Sequence, residues 1–308
     1  MTIREFLQAT GMPGDDLHDL PASKKRFADG AHFRVEIPTM EGPRCLEAVL
    51  ELSSTLELPV HRVSQDSGVF EQTDEELDET ARLARLARVE VSLFAGGASW
   101  DLSEATRAQP RYAVAARGQG QLAANLEDCL RAADHGFRSV LIADVGVLAA
   151  FGEARSAGVL PAEMQAKVSA MLPAANAAAA RVFERLGASS INLPRDLTLA
   201  QIASIRAAVD VPLDVYVETG DNVTGFIRHH DISELVRVAA PVYVKFGHRN
   251  TPEPDPGDNG AAARNIELSR LLVRRAELGL ERLEFSGSAA IASAPGAAGI
   301  AVPVAVSG

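Results

Sequence analysis

The chain has 308 residues, 47% of them apolar and 23% charged, a balance that suits a folded domain with a full core and excludes an intrinsically disordered chain. A formal net charge of −11 excludes a nucleic-acid partner held by broad phosphate neutralisation. No run approaches the ~20 consecutive apolar residues that a membrane span needs, and the start "MTIREFLQAT" lacks a signal-peptide core, so the expected compartment is the cytoplasm.

Taken in order, residues 1–32 form an extension expected to cap the lower end of the fold or cover a face, with "MPGDDLHDLPASKKRFADG" (12–30) reading as loop. From residue 33 apolar, strand-like runs alternate with helical patterns. "FRVEIP" (33–38) precedes "GPRCLEAVLELSSTL". "VHRVSQ" (60–65) precedes "TDEELDETARLARLA", where Thr73 and Glu76 have the spacing of a capping box. "VEVSLFA" (89–95) is followed by a long connection holding the lone Trp100, then "GQLAANLEDCLRAADHG". "SVLIAD" (139–144), "AKVSAML" (166–172), "SSINLP" (189–194), "PLDVYVE" (212–218) and "PVYVKFG" (241–247) each lead into a further helical stretch. Eight such units predict an α/β fold of the (β/α)8 TIM-barrel class over residues 33–283. An open doubly wound sheet is the rival, but the GxGxxG phosphate loop that would favour it is missing. Residues 284–308 are rich in Gly, Ala, Ser and Pro and read as an extended or mobile arm. Its apolar end, "GIAVPVAV", offers a surface to a second copy of the chain. Cys45 and Cys129 form no CxxC pair and are expected to be buried thiols.

The polar residues inside the strand runs carry the functional reading. The chain has four lysines, Lys24, Lys25, Lys167 and Lys245, and the last two sit inside apolar strands. Alternate residues of a barrel strand point inward. That rule sends inward Arg34 and Glu36, Arg62 and Ser64, Asp144, Lys167 and Ser169, Asn192, Asp214, Tyr216 and Glu218, and Tyr243 and Lys245. The complementary residues, Val, Ile, Leu and Phe, then face the helices. Four cations (Arg34, Arg62, Lys167, Lys245) balance four carboxylates (Glu36, Asp144, Asp214, Glu218), so a purely structural ionic core is one reading. The other is an active site, which in this fold lies at the C-terminal ends of the strands. Glu36, Asp144, Lys167, Asn192, Glu218 and Lys245 lie in the later halves of their strands; Arg34, Arg62 and Asp214 sit earlier, as support. Asp144 equally suits the N-cap of the next helix. His248 and Arg249 come directly after the eighth strand, a place where barrels often hold anions. His61 begins its strand and falls at the other end, and His229 and His230 read as surface residues.

The stretch from Ala174 to Glu218, "NAAAARVFERLGASSINLPRDLTLAQIASIRAAVDVPLDVYVE" in its main part, resembles the peptidase U32 family. It has a helix ending "LGA", a strand, a Leu-rich helix start and a strand with a terminal Val run. "FRVEIP", "VHRVSQ", "MQAKVSAML" and "APVYVKFG" resemble the corresponding phrases of a bacterial U32-like branch. Many members carry cysteines beyond the strand matching "DVYVE", some binding an iron–sulfur cluster. No cysteine lies beyond Glu218 here, so no iron–sulfur cluster of that kind is expected.

The resemblance implies hydrolysis, of a small polar or anionic molecule or a short peptide. In that reading Glu36, Asp144, Lys167, Glu218 and Lys245 are the catalytic candidates. Glu36, Asp144 and Glu218 supply acid–base groups or oxygen ligands for a divalent Mg or Mn ion, with His248 assisting. Lys167 and Lys245 orient a carboxylate or phosphate or stabilise an oxyanion. Arg62, Ser64, Asn192, Tyr216, His248 and Arg249 are candidate substrate contacts. Neither HExxH nor GxSxG is present. A lyase or aldolase with a Schiff-base lysine is the second reading, since a desolvated lysine becomes nucleophilic. A non-catalytic ligand-binding barrel is the third.

Overall fold

The computed structural model describes residues 1–14, 16, 18–96, 115–220, 226–247 and 261–306. Eight parallel strands close in sequence order into a barrel, β1-β2-β3-β4-β5-β6-β7-β8, as the alternation predicts. The strands are β1 (Phe33–Ile37), β2 (Arg62–Ser64), β3 (Glu90–Phe94), β4 (Ser139–Ile142), β5 (Gln165–Val168), β6 (Ser190–Asn192), β7 (Leu213–Glu218) and β8 (Val242–Phe246). Around them run α2 (Pro43–Thr55), α3 (Asp74–Ala87), α4 (Gly118–Asp134), α5 (Val145–Ser156), α6 (Ala177–Arg185), α7 (Leu199–Ala208), α8 (Ile232–Ala239) and α9 (Ala261–Phe285). A further helix, α1 (Ile3–Ala9), opens the N-terminal extension, ahead of the stretch read as loop; Thr2 and Glu5 cap it reciprocally.

Local chemistry explains the boundaries. Thr73 accepts from the Glu76 amide while Glu76 reaches back to the Thr73 amide, closing the capping box read at the start of α3. Thr198 and Gln201 do the same for α7, and Pro43 opens α2 without leaving an orphan N–H. The core is the ring between barrel and helices. Val35, Ile37, Val63, Val91, Leu93, Ile142, Val168, Ile191, Val215, Val244 and Phe246 face outward and are buried there. Gly279 lets α9 lie directly on β8, since a Cβ at that position would stand 2.2 Å from the Phe246 ring. Cys45 and Cys129 are buried free thiols in this layer. Among the described residues no helix is long and apolar enough to cross a membrane.

The C-terminal tail is extended, as read, but it is not a loose arm. It lies across the N-terminal face of the barrel. Ala292 bridges Phe33, the Ser293 amide donates to Phe33 O at 3.1 Å, and the Val304 amide donates to Gly136 O at 2.9 Å. Gly136 has φ +89, and a Cβ there would collide with Val304 O at 2.4 Å. Ile300 and Ala301 are buried against the barrel, while Val304 and Val306 stay exposed. His61, placed at this end by the sequence, holds both parts. Its Nδ1 accepts from the Val35 amide at 2.9 Å, which leaves Nε2 to donate to Ser293 O at 2.7 Å. The N-terminal extension covers the same face, with Phe27 edge-on to Tyr243 at 5.5 Å between centroids.

Candidate active site

The barrel interior is ionic, and its members come from the alternation within each strand. Strand register sets Glu36 beside both Arg62 and Lys245, and Tyr216 beside Lys245. Glu36 is the hub. Its Oε1 meets the Lys167 ammonium in a very short contact, Lys245 Nζ at 3.1 Å and the Ser64 hydroxyl at 2.8 Å, and its Oε2 lies 3.4 Å from Arg62. Burial alone would favour the neutral acid. The charges of Lys167, Lys245 and Arg62 win, and hold the Glu36 carboxyl well below the usual carboxylate range. With its side-chain amide turned to satisfy its neighbours, Asn192 accepts from Lys245 Nζ at 2.9 Å, and that ammonium also sits 4.3 Å from the Tyr216 ring centroid.

Beneath this hub Arg62 braces the interior through Nε and Nη1. Its Nε donates to Glu90 at 2.7 Å, its Nη1 lies 3.1 Å from Asp214, and its guanidinium stacks 3.5 Å from the Tyr243 ring centroid. Arg62, 2% exposed, is therefore a strut of the interior, below the upper rim where a substrate contact was expected. Glu90 was not among the expected inward residues, although Glu90, Ser92 and Phe94 of "VEVSLFA" obey the same alternation.

Two expected members of the site lie elsewhere. A bulge between Tyr216 and Glu218 breaks the period-two count, so Glu218 pairs with outward-facing Phe246. The Glu218 carboxylate sits on the helix side, 3.1 Å from His229 Nε2 and 3.4 Å from Arg275 Nε of α9. His229, expected at the surface, is thus largely enclosed and edge-on to Phe246. Asp144 caps α5, its Oδ1 accepting from the Val147 amide at 2.9 Å. Glu36, Asp144 and Glu218 therefore do not converge. Among the described residues no group of three His, Cys, Asp or Glu side chains is arranged to hold a metal ion. Glu36, ringed by three cations, is a poor ligand for another cation, so the expected Mg or Mn triad does not fit these residues. Trp100, His248 and Arg249 lie outside the described residues.

The upper rim adds residues that strand patterning could not show. Glu41, after β1, accepts from the Asp66 amide at 3.1 Å and from the Ser67 hydroxyl, both after β2. Burial first, and then the nearby Asp66 charge, push the Glu41 carboxyl up to about 7. Asp66 is exposed on one side and closely surrounded by protein on the others. Loss of hydration raises its pKa, while the charges of Lys245, Lys167 and Arg195 and a hydrogen bond from Thr39 oppose the rise. Thr39 itself has φ +60, a left-handed conformation that is costly for a β-branched residue. Arg195, after β6, lies 5.1 Å from the Tyr216 ring centroid and forms no ion pair among the described residues. An acidic pair and a set of cations thus share the C-terminal ends of β1, β2, β5, β6 and β8.

Comparison with known proteins gives one family. Residues 118–224, from α4 to just beyond β7, match the model of peptidase family U32, and the resemblance read between Ala174 and Glu218 falls inside that span. Three solved structures are similar to the chain at low identity. The U32 peptidase Mk0906 is 15% identical over 66% of this chain and 72% of its own, with a TM-score of 0.41. A truncated 3-deoxy-D-arabino-heptulosonate 7-phosphate synthase from Thermotoga maritima is 13% identical over 91% of this chain and 94% of its own, at 0.47. Octameric ribulose-1,5-bisphosphate carboxylase/oxygenase from Pyrococcus horikoshii is 12% identical over 82% of this chain and 60% of its own, at 0.48. No curated protein matches the chain.

Proposed function

We propose, for a chain whose residues 118–224 carry the peptidase family U32 pattern, that it is a TIM-barrel hydrolase of small carboxylate-bearing amides, short peptides among them. The observation that carries this reading is the meeting of the Glu41–Asp66 pair with Lys245, Lys167 and Arg195 at the C-terminal barrel face. Arg195, which acts on Asp66 through space but makes no ion pair among the described residues, receives the substrate carboxylate. Glu41, with a pKa of about 7, suits a general base that then acts as an acid. As carboxylate it takes a proton from water while the oxygen attacks the substrate carbonyl. The tetrahedral oxyanion forms beside the Lys245 ammonium, which Glu36 and Asn192 hold in place. Glu41 returns the proton to the amine as the C–N bond breaks. Glu36, Asp144 and Glu218 take no part in this step as metal ligands, since they do not converge.

The test is a panel of dipeptides and N-acyl amino acids, each with a free and an amidated C-terminus. Turnover is expected for the free carboxylates, with an acid limb near pH 7. Glu41→Gln should lower kcat by about 10²–10⁴-fold and abolish that limb. Arg195→Met should raise KM for the carboxylated members only. Full turnover with an unchanged limb in Glu41→Gln would sink the mechanism.

One observation favours a second reading. Burial and the neighbouring Lys245 charge bring the Lys167 ammonium down to about 8, against the pull of Glu36 and Asp214. A lysine so placed can lose its proton and add to a carbonyl as a Schiff base. Borohydride reduction in the presence of pyruvate, then peptide mapping, separates the two: a stable adduct on Lys167 supports lyase or aldolase chemistry, and an unmodified lysine supports hydrolysis.

A further inference from the structure

The opposite end of the barrel holds a cavity of 430 Å³ between the N-terminal extension, the tail and the first residues of the strands. That volume falls within the range of small-molecule sites. Its walls include Phe27, Arg34, Arg62, Met164, Tyr243 and Gly299.

The buried charges of the barrel interior above it do not balance. The buried inward cations are Arg34, Arg62, Lys167 and Lys245, and with Glu218 turned outward the buried inward carboxylates are Glu36, Glu90 and Asp214. The cation left over is Arg34. It is 2% exposed and has no carboxylate within ion-pair distance among the described residues. Its three hydrogen bonds run to neutral acceptors: Ser293 Oγ at 2.9 Å, the Tyr243 hydroxyl at 3.0 Å and Ala298 O at 2.8 Å. Its nearest acidic support is exposed Asp29, which acts on it through space and through Ser293, whose hydroxyl lies 3.3 Å from Asp29. A guanidinium has five N–H donors, so one on each Nη remains. A buried cation without a counter-charge is costly.

Tyr243 adds a second unused donor. It is 1% exposed and its oxygen accepts from Arg34, yet among the described residues its own proton has no acceptor. Phe27 stacks under the Arg34 guanidinium at 4.0 Å and supplies an apolar wall, joined by Met164 and the Pro212 and Pro241 rings.

We propose that this cavity is a binding site for a small organic carboxylate, which pairs with Arg34, accepts from the Tyr243 hydroxyl and lays an apolar body against Phe27 and Met164. The site is separate from the rim of the proposed hydrolase, and Arg62 and its carboxylate partners stand between the two.

Titration calorimetry of the full chain with benzoate tests it. One site per chain is expected at millimolar affinity or better. Arg34→Met should abolish the heat, and Tyr243→Phe, which keeps the stacked ring, should weaken binding by about tenfold. If Arg34→Met does not fold, the Tyr243→Phe result decides. Arg195→Met, at the far end of the barrel, should leave benzoate affinity unchanged. No heat at 10 mM benzoate (roughly 2.7 kcal/mol of binding free energy at most) would overturn the site. So would benzoate binding that Arg195→Met removes and Tyr243→Phe leaves intact, since the ligand would then belong to the upper rim.

Discussion

Lys167 and Lys245 carry the same group, and burial pulls both downward. For Lys167 burial and its cationic neighbours prevail, and its pKa falls to about 8. For Lys245 the attraction of Glu36, Tyr216, Asp214 and Asp66 outweighs burial, and its pKa rises. The two are coupled through Glu36, which both contact. Lys245→Met should therefore raise the titration midpoint of Lys167 above about 8, by removing a like charge and leaving Glu36 to Lys167. Reductive methylation with ¹³C-labelled formaldehyde and then NMR titration read that midpoint. An unchanged or lowered value would show that Lys167 does not feel Lys245. The inward lysines were legible in the sequence because a strand alternates with period two and lysine is scarce here. Glu41, Asp66 and Arg195 were not legible, because they sit on loops after β1, β2 and β6, where no periodicity points a side chain anywhere.

At the scale of elements, the ends of the strands decide which residues reach the site. The loop from Pro38 to Gly42 must return to the barrel rim to bring Glu41 to Asp66, and Thr39 adopts φ +60 to do so while bonding the Asp66 side chain. Strain of this kind is typically worth about 1–3 kcal/mol, and glycine would relieve it. Thr39→Gly should therefore raise stability by about 1 kcal/mol in urea unfolding while lowering kcat, because Asp66 loses its tether. A variant both less stable and fully active would refute that trade. Strand β7 shows the complementary lesson. Eight strands were countable because each apolar run led into a helical pattern, five of them capped by a side chain or started by Pro. The bulge after Tyr216 changes none of those signals, yet it moves Glu218 from the interior to the α9 side. Asp144 shows a different limit: one carboxylate suited both the site and the helix cap, and the geometry of α5 assigns it to the cap.

For the whole molecule, the N-terminal face is closed by segments from both ends of the chain, and His61 is the joint. Burial holds its pKa near 4, below the ordinary 6.5. Between those values the unfolded chain binds the proton and the folded chain does not. The stabilisation is complete above pH 6.5, declines as pH falls, and is exhausted below about 4, a swing of roughly 3 kcal/mol. Glu41 acts with the opposite sign: its folded pKa is raised to about 7, so its contribution diminishes as pH rises from about 4.5 to 7. The two slopes overlap and partly offset each other in the unmodified chain. Glu41→Gln removes one of them and should leave a chain that loses stability steeply from pH 7 to 4. Adding His61→Gln, whose amide can still accept from Val35 and donate to Ser293, should flatten that loss by roughly 3 kcal/mol. Urea unfolding of both variants at pH 4, 5.5 and 7 checks this. If the two curves run parallel, His61 is not the acid-labile joint between tail and barrel.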